Sequence, residues 1–359
     1  MESVYLLSVA KSPRASADRE LVNWELLRHG GHSQIVGVAK EFEQTTKAQI
    51  DFDALLDPVP TQDPAKREDL RANVRKSLRI NGVQRTAAEF VGTVNVVAFA
   101  AEDIDLVAGS PGVRRRYLDI LISQSDPGYL RTLQRYGRVT TQRNHLLRLI
   151  RERRAGADEL QFWDDRLCEE GASIVGCRLR AVEKLRDQAV EMHRVLAGER
   201  DSLHLRYAPN LGDKVATETP DAPQIRDQLV TALAAARPRE IAQGASVVGP
   251  HRDELEITLN GHLAGSYASR GQARTVALAL KLAEAAFVSA ATGRNPVLAL
   301  DDVLSELDAA RRRLVLKAAE SYEQVLMTTT DFEQVQQATN AAWTAWTVHK
   351  GSIQLGCGG

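Results

Sequence analysis

Apolar and polar positions repeat along this chain with two different periods, and the change of period divides it. Between His32 and Phe99 the repeat is close to two. Gln34 to Lys40 reads as a strand. Leu78-Arg79-Ile80 and Val83-Gln84-Arg85 flank Asn81-Gly82 as a hairpin, and Thr93 to Phe99 reads as a buried strand. Asp57 to Lys66, with its prolines, reads as a loop. From Arg114 to about His193 the repeat is helical, broken near Ala155-Gly156. A strand at Leu203 to Tyr207 stops at Pro209, and a polar linker runs from Leu211 to Ala222. An amphipathic helix at Gln224 to Arg239 and a hairpin around Asn260-Gly261 follow. At the start, Met1 to Ala10 is helical without a cap in front of it, and Lys11-Ser12-Pro13-Arg14 ends that helix.

The densest chemistry lies between Tyr267 and Asp308. Ser269-Arg270-Gly271-Gln272 opens a helical run to about Ala290, and the apolar run Val297-Leu298-Ala299-Leu300 leads into Asp301-Asp302. Ser305-Glu306-Leu307-Asp308 follows. A helix N-terminus presents unpaired N–H groups and a positive dipole end, which suits a phosphate. Carboxylates at the carboxyl end of a buried parallel strand suit a magnesium ion and its waters. Taken singly, the loop could be an ordinary cap and the acids a solvated turn. Their order and spacing favour a nucleotide site. Further on, Gln324 to Met327 reads as a short strand running into Thr328-Thr329-Thr330-Asp331, and Ala342 to Ile353 as a hairpin around Lys350-Gly351.

Charge changes the picture only locally. With 46 basic and 47 acidic residues in 359, no global field attracts nucleic acid, so any such contact needs a patch. Arg114-Arg115-Arg116 opens one helix. Arg131, Arg135 and Arg138 fall at i, i+4 and i+7 on the next, within a window rich in arginine that also holds Arg143. That stripe is a candidate DNA-backbone surface. Aromatics are 5%, which argues against base stacking as the main mode. Three cysteines, Cys168, Cys177 and Cys357, show no zinc or disulfide spacing. No signal peptide or membrane span is evident in the pattern, which points to a cytoplasmic protein.

Two further stretches are distinctive: Glu102-Asp103-Ile104 through Gly109, Pro111, Arg114-Arg115 and Tyr117-Leu118-Asp119, and Gly244 through Ser246 to Gly249-Pro250-His251-Arg252-Asp253-Glu254. With the loop at 269–272, Asp301-Asp302 and Thr328 to Asp331, they make the chain resemble the RecF family of bacterial DNA replication and repair proteins. These are ABC-type, SMC-like ATPase heads. The resemblance implies an α/β fold, an ABC-type P-loop NTPase head carrying an inserted helical lobe. The expected divisions are 1–112 and 244–359 for the two parts of the head and 113–243 for the lobe.

The resemblance also assigns roles. Asp301 holds magnesium through waters, Asp302 orients or deprotonates the attacking water, and Thr328 lies near the γ phosphate. Ser269, Arg270, Gly271 and Gln272 contact ATP held by the opposite subunit, and Asp308 sits at the seam. Arg114, Arg115, Arg131, Arg135 and Arg138 are the DNA-contacting candidates. Implied partners are DNA at single-stranded/double-stranded junctions, recombination mediator proteins and a second copy in an ATP-dependent homodimer, with no membrane. The implied work is gap repair and the SOS response. One departure matters: no G-x-x-x-x-G-K-[ST] occurs in these 359 residues, although Glu2 to Leu7 resembles the helix that follows this P-loop. The first strands and the P-loop are therefore expected to lie outside the chain. A scaffold that binds DNA without nucleotide is the alternative reading.

Overall fold

The computed structural model describes residues 1–355 other than 42–43, 59–69, 199–200, 212–220, 340 and 351. After α1 (Glu2–Val9) and α2 (Trp24–His29) come four strands, β1 (Gly31–Glu41), β2 (Gln44–Pro58), β3 (Leu70–Ile80) and β4 (Val83–Arg85). They form one antiparallel sheet in chain order. In β2 the period-two pattern sends Ala48, Ile50, Phe52 and Ala54 into a core shared with Leu6 and Leu7 of α1, while Asp51 and Asp53 take the opposite face, where Asp51 is buried beneath Gln34, Gln49 and Arg79. The sequence reading missed β2. Its Lys, Asp and Thr positions mask a clear apolar alternation. The Asn81-Gly82 turn has both residues at positive φ, which matches the twist of the flanking strands. The expected loop at 57–66 begins with the last two residues of β2, and the remainder lies outside the described residues, as does most of the linker at 211–222.

Next come α3 (Ala87–Phe90), β5 (Val96–Ala100), α4 (Asp105–Ala108), α5 (Pro111–Ser125), α6 (Pro127–Arg151) and α7 (Leu160–Ala197). At ~1.5 Å per residue α7 is about 57 Å long. Then β6 (Leu203–Ala208), α8 (Ala222–Gln243), β7 (Glu254–Leu259), β8 (His262–Leu263), α9 (Ala264–Tyr267) and α10 (Arg270–Thr292) lead to β9 (Val297–Asp301). The chain closes with α11 (Ala309–Ala319), β10 (Val325–Thr328), α12 (Phe332–Gln336), β11 (Trp346–His349) and β12 (Ser352–Leu355).

A second, parallel sheet has the order β10-β9-β5, with Ala100 and Thr328 both in register with Asp301. α10 covers it. Arg270 to Thr292 is apolar enough by length and hydropathy to cross a membrane, although the sequence pattern offered no such run; most of it is buried inside the protein. The helical segment is no detached arm. Leu118, Leu167, Ile174 and Leu185 share one hydrophobic core with α10 and β9, because α7 packs lengthwise against α10.

Candidate functional site

β9 delivers Asp301 at the carboxyl end of the parallel sheet, between two strands that fix its backbone. Its Oδ1 accepts the Thr328 hydroxyl at 2.7 Å, and its Oδ2 accepts from the Arg14 guanidinium at 2.8 Å. The Thr328 oxygen in turn accepts the Asp302 N–H at 3.1 Å. Its single O–H is spent on Asp301, so Thr328 joins the two acids and has no proton left for a third group. Asp302 stands at φ +54°, a conformation that costs a non-glycine residue on the order of 1–3 kcal/mol. Its Oδ1 is buried with no hydrogen-bond partner. A strained backbone and an orphan anionic oxygen mark a group held ready for something the described chain does not supply.

The second part of the site is the start of α10. Ser269 is its N-cap: Oγ accepts the Gln272 N–H at 3.2 Å, and Gln272 Oε1 accepts the Ser269 N–H at 3.0 Å. This is a reciprocal capping box. The ordinary reading of this loop is therefore correct as far as it goes, and it leaves the Ser269 hydroxyl hydrogen available to donate. Gln272 Nε2 also donates to Asp201 at 3.2 Å, tying the loop to the exit of the helical lobe. Ser269, Arg270 and Gly271 are exposed. A Cβ on Gly271 would meet nothing within 4 Å, and its φ is ordinary. Neither the backbone nor the packing of this chain asks for glycine there.

Phe99 and Ala100 line a small cavity together with Arg274, Ala277, Leu278 and Lys281, so the end of the sheet packs along the first turns of α10. Ser269 precedes all four of these helix residues, at the N-cap of the same helix. Asp308 caps α11, accepting the Arg311 N–H at 2.9 Å and the Arg311 guanidinium at 3.1 Å. The Arg311 contacts hold its carboxyl below the usual range.

Beneath the site lies a buried ionic cluster that the sequence reading passed over. Lys281 Nζ donates to Glu284 at 2.5 Å and lies 5.8 Å from the Tyr117 ring centroid. Burial alone would depress the Lys281 ammonium, but Glu284 and Asp103 more than offset this and raise it. Burial raises both carboxyls against the pull of Lys281. It also pushes the nearby Tyr5 hydroxyl up to about 12. The available signal was a lysine and a glutamate at i, i+3 inside an otherwise apolar helix.

The arginine candidates separate. Arg114 makes a two-pronged ion pair with Glu254 (2.7 and 2.8 Å), and Arg115 donates to the Asp253 carbonyl at 2.8 Å. These are bonds between the two distinctive stretches. Arg135 is exposed but pairs with Glu170 at 2.6 and 2.9 Å, while Arg131 and Arg138 are exposed. Arg143 is fully buried, so the basic window is less solvated than its composition implies. His251 is half-buried: its ring nitrogens meet the Tyr136 hydroxyl (2.7 Å) and the Ser246 carbonyl (3.1 Å), and desolvation lowers its pKa.

No family model matches the chain. It is 37% identical over 361 residues to the DNA replication and repair protein RecF of Chloroflexus aurantiacus, covering 99% of this chain and 90% of that one. It is 38% identical over 336 residues to the RecF of Herpetosiphon aurantiacus, covering 93% and 84%. Two solved structures superpose closely, the recombination mediator protein RecF with ATP (TM-score 0.82, 28% identity, 99% of this chain and 87% of that chain) and with ATPrS (TM-score 0.81, 29% identity, 99% and 87%). On identity of this level along almost its whole length, the chain belongs to the RecF family of DNA replication and repair proteins.

Proposed function

We propose that the chain acts in DNA replication and repair, in the cytoplasm, as an ATPase head that supplies the Ser269 loop to a triphosphate bound by a P-loop-bearing partner of its own family. The observation that carries this reading is Gly271. Glycine near a helix start is disfavoured by up to ~1 kcal/mol against alanine, and nothing in this chain requires it. Its use is explained by an outside group approaching the backbone closely. ATP is the nucleotide class, because solved relatives hold ATP and ATPrS. Recombination mediators and DNA are the partner classes.

Among the described residues no three His, Cys, Asp or Glu side chains could cage a metal ion. Asp301, Thr328 and the orphan oxygen of Asp302 nonetheless offer hard oxygen donors, which fits magnesium completing its shell with waters and phosphate oxygens. Magnesium there would neutralise charge on the transferred phosphoryl group. In this arrangement Asp301 would hold the metal in place of its contact with Arg14, Asp302 would orient the attacking water, and Thr328 would position both acids. Ser269, Arg270, Gly271 and the Gln272 end of the loop address the γ phosphate across the seam, where Asp308 also lies.

The test is association by light scattering. The chain mixed with a P-loop-bearing family member forms a heterodimer only with ATP and magnesium, and Ser269→Arg in the chain abolishes it. Equal association without nucleotide, or by the Ser269→Arg chain, overturns the reading. Saturable, magnesium-dependent ATP binding by the chain alone at micromolar concentration overturns the assignment of the triphosphate to the partner. Gly271→Ala separates stability from function: unfolding free energy rises by about 0.5–1 kcal/mol while ATP-dependent association weakens at least tenfold. A variant that gains neither stability nor loses association contradicts this.

For DNA, Arg131 and Arg138 are the backbone-binding residues. Replacing either with alanine lowers the slope of log affinity against log salt by about 1. Arg114→Ala acts differently, destabilising the fold by leaving half-buried Glu254 without its partner. An unchanged salt slope in both exposed variants would remove this surface from the account.

A further inference from the structure

The two distinctive stretches, 102–119 and 244–254, are not used by the nucleotide site, yet they meet each other. Arg114 and Arg115 bond to Glu254 and Asp253, and Arg178 joins Asp119 (2.8 Å) to the Pro250 carbonyl (2.8 Å). Over this seam, between α5, α6 and α7, lies a cavity of ≈ 730 Å³, the size of a ligand pocket. Its walls are apolar and its rim is cationic. Arg115 and Arg116 each commit one guanidinium nitrogen to a backbone carbonyl, of Asp253 and Ser12, leaving the rest of each fork to face an acceptor. Lys11 is exposed beside them. The carboxylate at the same rim, Asp119, is already taken by Arg178 and Tyr129.

Gly137 lines this cavity from the middle of α6. Glycine is disfavoured inside a helix, and here no positive φ and no neighbouring atom within 4 Å calls for it. A missing side chain on a cavity wall is explained by an occupant. Duplex DNA cannot enter a concave apolar slot, whereas a chain segment can seat one side chain in it. We propose that this cavity is a docking pocket for an acidic peptide segment of a partner protein. Its bulky apolar side chain enters between Ile120, Leu133 and Ile174, and its carboxylates meet Lys11, Arg115 and Arg116.

The experiment pans a displayed library of random octapeptides against the full chain, with counter-selection on Gly137→Leu, which fills the slot. Enriched peptides are expected to join two or more acidic residues to Leu, Ile, Phe or Trp. They bind the chain in the micromolar range by fluorescence polarisation, weakening at least tenfold on Gly137→Leu and on Lys11→Glu. Thermal melts check that both variants fold, and Thr141→Trp, at an exposed position on the mouth, serves as a second blocker. No enrichment beyond the counter-selection, or enrichment without acidic residues, overturns the proposal. A labelled DNA oligonucleotide whose binding falls tenfold on Gly137→Leu, with peptides unaffected, assigns the cavity to nucleic acid and overturns it as well.

Discussion

Arg143→Met lowers the unfolding free energy by about 3–5 kcal/mol, whereas Arg131→Ala and Arg138→Ala each change it by less than about 0.5 kcal/mol. All six side chains in the Arg131 to Arg151 run look alike in sequence, and only one carries this cost. The Arg143 guanidinium is fully buried and donates to Asp164 at 2.7 Å, Glu240 at 2.6 Å and the Ser246 hydroxyl at 2.8 Å. Glu240 is itself fully buried, and its other oxygen accepts the Val247 N–H at 2.8 Å. Removing the cation strands that carboxylate in a low-dielectric setting, which is what makes broken buried pairs expensive. Adding Glu240→Leu to the variant restores part of the loss, because the uncompensated charge goes too. Urea unfolding at neutral pH measures all of these. A loss under about 1 kcal/mol for Arg143→Met would show that water reaches the cluster and that the lobe is looser than described.

Lys281→Met is the second large effect, and it depends on pH. One ammonium serves two buried carboxyls, Glu284 and Asp103, and burial raises both above their ordinary values of 4.5 and 3.8. Acids raised on folding hold protons more tightly in the native state. Their contribution to stability is present below the ordinary carboxylate range and is lost as pH climbs through the raised values. Removing Lys281 lifts them further. At pH 7.5 the variant is therefore about 3–5 kcal/mol less stable than the parent. At pH 5 the gap narrows by about 1–2 kcal/mol as the carboxyls take up protons. Comparing the two proteins at each pH cancels titrations elsewhere. A gap that does not change between pH 5 and pH 7.5 would mean these carboxyls do not titrate in the interval.

Much of the carboxyl end of the parallel sheet was legible from residue order. An apolar run closing on Asp301-Asp302, a serine-capped helix before it and Asn-Gly turns are local signals. Each depends on backbone geometry within a few residues, and each element formed where the pattern put it. Strand β2 was legible in principle, since Ala48, Ile50, Phe52 and Ala54 keep period two. Its polar face carries residues that strands usually avoid, among them Asp51, buried beneath Gln34, Gln49 and Arg79.

By itself the sequence determined the kinds of element, the identity of the paired acids and the loop, and the family. Tertiary structure alone decided which charges are buried. Arg131, Arg138 and Arg143 share a helix, yet burial depends on the helix that packs across each one, and α8 covers only the last. It also decided where the Ser269 loop stands relative to Asp301, since the length of α10 relative to β9 has meaning only once the two are packed side by side. Periodicity records which way a side chain faces. What it faces is set by segments a hundred residues away.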